Sequence, residues 1–127
     1  MTYKTYGTTL AGDHPTEAAE MATFFNQLPH RFKAVALHIR NEGKRNDRQM
    51  QHQKAQGGFI KGASDIIIPA KPAFVCEMKS LNKGSRASKE QLQYLDDAAA
   101  IGAFACLCYG WEAAWAALQE WQAHVGA

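Results

Sequence analysis

Residues 61–80 read KGASDIIIPAKPAFVCEMKS, and the reading of this stretch decides the fold. Asp65-Ile66-Ile67-Ile68-Pro69 is a short β-branched run that Pro69 ends, because a proline has no amide to give to a sheet ladder. Lys71-Pro72 turns the chain into a second run, Ala73 to Lys79, so the spacing predicts a hairpin. Alternate residues of a strand share a face, which sets Glu77 and Lys79 together on one side and Cys76 and Met78 on the other. In an antiparallel pair Asp65, opening the first strand, comes level with Glu77 near the end of the second. Two carboxylates and an amine are thereby expected to converge. Taken alone, E-x-K on a strand is most often an exposed, salt-bridged face. Here Phe74-Val75-Cys76 makes the strand apolar enough to be central, and charges on a central strand need a metal or a partner.

Toward the N-terminus, Pro15 and Thr16 open a segment in which Met21, Phe24, Phe25 and Leu28 recur at helical spacing until Pro29 closes it. Ala34 to Ile39 reads as a core strand, Arg40 to Asn46 as a polar loop, and Asp47 to Gln56 as a short exposed helix ended by Gly57-Gly58. Toward the C-terminus, Ser88 to Ile101 carries Leu92, Leu95 and Ala99 on one helical face, and Gly102 stops it. Ala103 to Tyr109 is an unbroken apolar run of strand length, which suits a strand covered on both sides. After Gly110, Trp111 to Val125 forms a final amphipathic helix with Trp111, Trp115, Leu118 and Val125 on one face. The order helix, strand, short helix, hairpin, helix, strand, helix argues for a mixed α/β sandwich.

No Pro, Ser or Gly tract divides the 127 residues, so one domain spanning 1–127 is expected, long enough to bury roughly two thirds of its unfolded surface. The three cysteines, Cys76, Cys106 and Cys108, form no CxxC pair and read as reduced, buried small hydrophobes of a cytosolic protein. No run of eighteen apolar residues and no signal-peptide pattern occurs, so a soluble chain without a membrane partner is expected. The formal charge of +2 does not mark a nucleic-acid binder by itself. Its distribution is more informative, because Arg40, Lys44, Arg45, Arg48, Lys54 and Lys61 cluster against only Glu42 and Asp47. Gly-rich phosphate loops are missing, which excludes nucleotide-binding oxidoreductases and kinases, and the five histidines show no zinc spacing.

Asp65, Glu77 and Lys79 are the residue types that phosphodiester hydrolysis requires. Oxygen ligands hold Mg²⁺ or Mn²⁺ against a phosphate oxygen, the ion acidifies water, and an amine orients the nucleophile and meets developing charge. Asp65 and Glu77 are the expected ligands, with the carbonyl of Met78 as a further oxygen. On the first helix Glu17 lies about 30° from the centre of the buried stripe and Glu20 about 90° away, at 100° per residue. Glu17 therefore points inward, as a partner of the helix dipole or as a ligand, and Glu20 is held as a sharer or substitute. Ser88-x-x-Gln91 fits a capping box, while Gln91 is also within reach of the site from its helix start.

In order along the chain, Glu17-x-x-Glu20, Ile39-Arg40-Asn41-Glu42-Gly43-Lys44-Arg45, Lys54-Ala55-Gln56-Gly57-Gly58, Lys61-Gly62-Ala63-Ser64-Asp65, Glu77-Met78-Lys79, Ser88-x-x-Gln91 and Cys108-Tyr109-Gly110-Trp111-Glu112 resemble the stand-alone VRR-NUC nucleases of phages and bacteria. The resemblance implies a restriction-endonuclease-like PD-(D/E)xK core, a mixed sheet of about four strands flanked by helices. It implies Asp65, Glu77 and Lys79 as signature residues, with the first-helix glutamate as a further acid and Gln91 as the trailing glutamine. Two departures are Ser64, where proline usually precedes the motif aspartate, and Met21, where glutamine often follows the second glutamate. Similar small members are homodimers that cut branched DNA such as four-way junctions, so DNA, a second copy and the cytoplasm of a bacterial or phage-infected cell are the implied partners and place. Arg40, Asn41, Lys44, Arg45, Arg48 and Lys61 are the expected DNA contacts. The rival readings are a nuclease of other specificity, restriction-like or acting on single strands or flaps, and a non-catalytic DNA-binding protein.

Overall fold

The computed structural model describes residues 2–39, 57–58 and 60–125. In chain order these form strand β1 (Lys4–Tyr6), helix α1 (Glu17–Gln27), one helical turn α2 (His30–Lys33), strands β2 (Leu37–His38), β3 (Ile66–Ile68) and β4 (Phe74–Lys79), helix α3 (Lys89–Ala100), strand β5 (Phe104–Tyr109) and helix α4 (Trp111–His124). The sheet has the order β1-β5-β4-β3-β2. β3 pairs antiparallel with both β4 and β2, whereas β5 runs parallel to β4 and β1. The parallel pair β4 and β5 needs a crossover, and α3 supplies it. Those two strands lie toward the centre: β5 is an unbroken apolar run, and β4 is buried along its whole length although it carries Glu77 and Lys79, as in a sheet covered on both faces.

Helices α1, α2 and α4 cover one face, burying Met21, Phe24, Phe32, Leu118 and Trp121 against Ile66, Phe74, Cys76 and Met78. Trp121 is fully buried and its indole N–H donates to the carbonyl of Pro72 at 2.8 Å, which ties α4 to the hairpin turn. On the other face α3 sets Leu95 and Ala99 against Val75, Ala105 and Leu107. Each large side chain buried in this way contributes about 1.5–3 kcal/mol relative to exposure.

Two elements differ from the sequence reading. The sheet has five strands because Lys4–Tyr6 adds an edge beside β5, a strand too short and too polar to announce itself. The core strand expected over Ala34 to Ile39 shrinks to the edge pair Leu37–His38. Pro29 starts a new helical turn that buries Phe32, and the amides of Ala34, Val35 and Ala36 continue its hydrogen bonding, leaving Val35 and Leu37 exposed. The helix expected over Asp47 to Gln56 lies outside the described residues. No helix among the described residues is long and apolar enough to cross a membrane.

Candidate active site

The hairpin sets the geometry of the site. β3 and β4 pair with Ile66 opposite Cys76, so Asp65, one residue earlier, lies level with Glu77. The Asp65 carboxylate is fixed there by accepting the amide N–H of Met78 at 3.0 Å. Glu77 is fully buried, and Lys79 brings its ammonium to 3.7 Å from Glu77 Oε2 and 3.8 Å from Glu17 Oε2. Carboxylate oxygens of Glu17, Asp65 and Glu77 all lie within 4.8 Å of one another. Glu17, Asp65 and Lys79 open onto a cleft of about 530 Å³ whose walls also include Met21, His38, Lys61 and Gln91, with Glu77 buried beside them.

Gln91 performs two tasks from the first turn of α3. Its Oε1 accepts the Ser88 amide at 2.7 Å while Ser88 Oγ accepts the Gln91 amide at 3.1 Å, the reciprocal pattern of a capping box. Its Nε2 donates to Glu77 Oε2 at 3.1 Å. Capping and site contact, which the sequence presented as rivals, are made by opposite ends of one amide. The loop that delivers Asp65 lies against the same helix start. Gly62 has φ of +87°, and a Cβ there would stand 2.6 Å from the Glu90 carbonyl carbon and 2.8 Å from the Gln91 amide nitrogen. Only glycine permits so close an approach.

Electrostatically, the site holds more negative charge than it can carry unaided. Burial first, then the charge of Asp65 and a carboxyl–carboxyl hydrogen bond with it, push the Glu77 carboxyl up to about 10, while Lys79 pulls it down and Glu17 adds to the push. That carboxyl–carboxyl bond requires a proton. With both groups ionised neither can donate, and Glu77 Oε1 is left buried with no hydrogen-bond partner among the described residues. The pair therefore calls for a cation or a proton between its members. Three clustered carboxylates with one such orphaned oxygen fit a hard divalent ion, which takes oxygen ligands.

Glu20 requires a correction. It is 4% exposed and lies outside the acid group, on the wall of a separate cavity with His14, Tyr109 and Trp111. Its carboxylate accepts the backbone N–H of Trp111, the first residue of α4, whose capping position is occupied by Gly110 and offers no side chain. A Cβ on Gly110 would come within 2.8 Å of Glu20 Oε2, so the glycine leaves room for the acid that caps the helix. Burial raises the Glu20 carboxyl above its usual range, opposed by the Trp111 amide. Met78 contributes its amide, which holds Asp65, and its side chain is fully buried.

Of the expected DNA contacts, Lys61 lines the cleft, and Arg40, Asn41, Lys44, Arg45 and Arg48 lie outside the described residues. Ile39, which precedes that basic patch in sequence, donates its amide to the Asp65 carbonyl at 2.7 Å. His38 is a wall residue that sequence reasoning passed over, although its place in the run leading to the basic patch was a usable signal.

Among solved structures the chain matches a "VRR_NUC domain protein" with a TM-score of 0.69, at 17% identity, over 87% of this chain and 89% of that one. The chain has the VRR_NUC fold. No protein-family model matches the sequence, and no curated protein does so either. The likeness therefore lies in the backbone, a restriction-endonuclease-like mixed sheet flanked by helices. In this VRR_NUC fold it is the hairpin β3–β4 and the start of α3 that bring Asp65, Lys79 and Gln91 to one cleft, with Glu77 buried beside them.

Proposed function

We propose that this chain is a divalent-cation-dependent nuclease that hydrolyses DNA phosphodiester bonds. The observation that carries the reading is the convergence of Glu17, Asp65 and Glu77 within 4.8 Å, with the Lys79 ammonium beside two of them and one buried Glu77 oxygen unpartnered among the described residues. Glu17, Asp65 and Glu77 are the residues that would hold Mg²⁺ or Mn²⁺, with the Met78 carbonyl as a further oxygen donor. The ion, when bound, supplies positive charge that polarises a phosphate oxygen and acidifies water.

The chain's own groups do the rest. Gln91 holds Glu77 in orientation through Oε2, leaving Oε1 free to face the acid cluster. Asp65 is locked by the Met78 amide, so neither carboxylate must be ordered when substrate arrives. Lys79, between Glu17 and Glu77, orients the attacking water and meets the charge that grows on the phosphoryl oxygens. Lys61, Arg40, Lys44, Arg45 and Arg48, with the amide of Asn41, hold the flanking phosphates in a sequence-independent manner. Branched duplex such as a four-way junction is the proposed substrate form. The described residues of one chain carry one such carboxylate cluster, and two coordinated cuts call for a twofold dimer.

Incubating the protein and its Asp65→Asn variant with linear duplex, single-stranded and four-way-junction DNA, in Mg²⁺, Mn²⁺ or EDTA, tests this directly. Expected are products from the wild type with metal, absent with EDTA and from the variant, and most abundant on the junction. DNA binding without cleavage in every metal would favour the non-catalytic reading. Preferred cleavage of linear or single strands would retain the nuclease and remove the junction.

A further inference from the structure

Behind β4, on the face away from Glu77, three thiols meet. β4 and β5 run parallel with Cys76 opposite Cys106, and Cys108, two residues further along β5, points to the same face. All three are free and fully buried, in the layer shared with Met78, Phe24 and Leu118. Their Sγ atoms all lie within 4.8 Å of one another. One buried cysteine is adequately explained as a small apolar side chain, but three sulfurs from two strands converging on a point make a set of soft donors. Among the described residues, Cys106 Sγ also donates to the Val75 carbonyl at 3.6 Å.

We infer that Cys76, Cys106 and Cys108 form a three-coordinate, sulfur-only site for a soft monovalent cation of the Cu⁺ type. Donor chemistry selects the class. Hard Mg²⁺ and Ca²⁺ take oxygen, and structural Zn²⁺ takes four ligands in a tetrahedron, whereas this group offers three sulfurs and neither imidazole nor carboxylate. Thiolate sulfur favours Cu⁺. Binding as thiolates releases the protons of the coordinating thiols to solvent, transfers no electron and breaks no other bond. One strand would thus present hard oxygen donors on one face and soft sulfur donors on the other, through the consecutive residues Cys76 and Glu77.

The test is anaerobic competition between reduced protein and a chromophoric chelator for Cu⁺, carried to equilibrium. Wild type is expected to withdraw one Cu⁺ per chain, Asp65→Asn the same amount, and the Cys106→Ala/Cys108→Ala double variant none. X-ray absorption at the copper edge of the wild-type complex is expected to show three sulfur neighbours and no nitrogen or oxygen, a result that stands even if the double variant fails to fold. A wild type that leaves the chelate intact, a double variant that competes equally well, or a shell containing nitrogen or oxygen would each overturn the site.

Discussion

Glu77 and Glu20 are both buried acids with raised pKa values, yet their surroundings give them opposite meanings. Glu20 faces the amide at the start of α4 and answers an orphan donor that every helix has, so its burial is structural. Glu77 faces Asp65 and Glu17, which repel its charge, and keeps one oxygen with no donor among the described residues. A buried carboxylate is therefore no sign of chemistry in itself. The sign is an acid whose surroundings raise its energy and whose remaining lone pairs point at other acids.

Exchanging each acid for its neutral isostere sharpens that contrast most. Glu77→Gln is expected to lower DNA cleavage by at least about a hundredfold, as loss of a preorganised charged group does. The same variant should be more resistant to unfolding in EDTA at alkaline pH. The folded Glu77 carboxyl binds its proton up to about 10, whereas the unfolded one releases it near about 4.3. Its contribution to stability is therefore complete below the unfolded value and drains away as pH climbs toward the folded one. Melting temperatures of the metal-free wild type measured across that window should fall with pH, and Glu77→Gln should flatten the slope. An equal slope in both proteins would show that Glu77 is not the group under strain.

Gln91→Ala comes next, with an expected loss of about tenfold to a hundredfold in metal affinity or cleavage, the usual scale for a residue that orients a ligand. Isothermal titration with Mn²⁺ reads the affinity, and far-UV circular dichroism shows whether the lost cap has unravelled α3. Gly62→Ala places a methyl group against the start of α3 and a side chain at positive φ. A destabilisation of about 1–3 kcal/mol, read by urea unfolding, is expected together with reduced cleavage, because the Asp65 loop must lift off the helix. The smallest effect belongs to Glu20→Gln: about 1 kcal/mol of stability, as for other lost caps, with cleavage unchanged. Loss of cleavage in that variant at full stability would erase the distinction between the two acids.

Much of this was legible in the chain itself because strand and helix periods are strict. Pro69 and Lys71-Pro72 mark the hairpin, and a period of two then forces Glu77 and Lys79 onto one face, opposite Cys76 and Met78. The 100° step of a helix put Glu17 nearer the buried stripe than Glu20, yet it is Glu20 that is buried while the Glu17 side chain stays 43% exposed, and the two line different cavities. The edge strands were less legible. β1 and β2 are three and two residues long, and strands that short carry no pattern of their own. They exist because β5 and β3 offer them unpaired backbone.

The order of elements from the hairpin to the last helix, the apolar faces of β4 and α3, and the acids and amine to be gathered follow from the sequence alone, since each depends only on neighbours a few residues apart. Tertiary structure decided what needs distant segments at fixed separation: the register that stacks Cys76 on Cys106 across β4 and β5, the reach of Gln91 to Glu77, and the approach of Gly62 to α3. It also decided which buried acid finds a donor and which is left facing other acids, because that depends on every group that fills the last few ångströms around each oxygen.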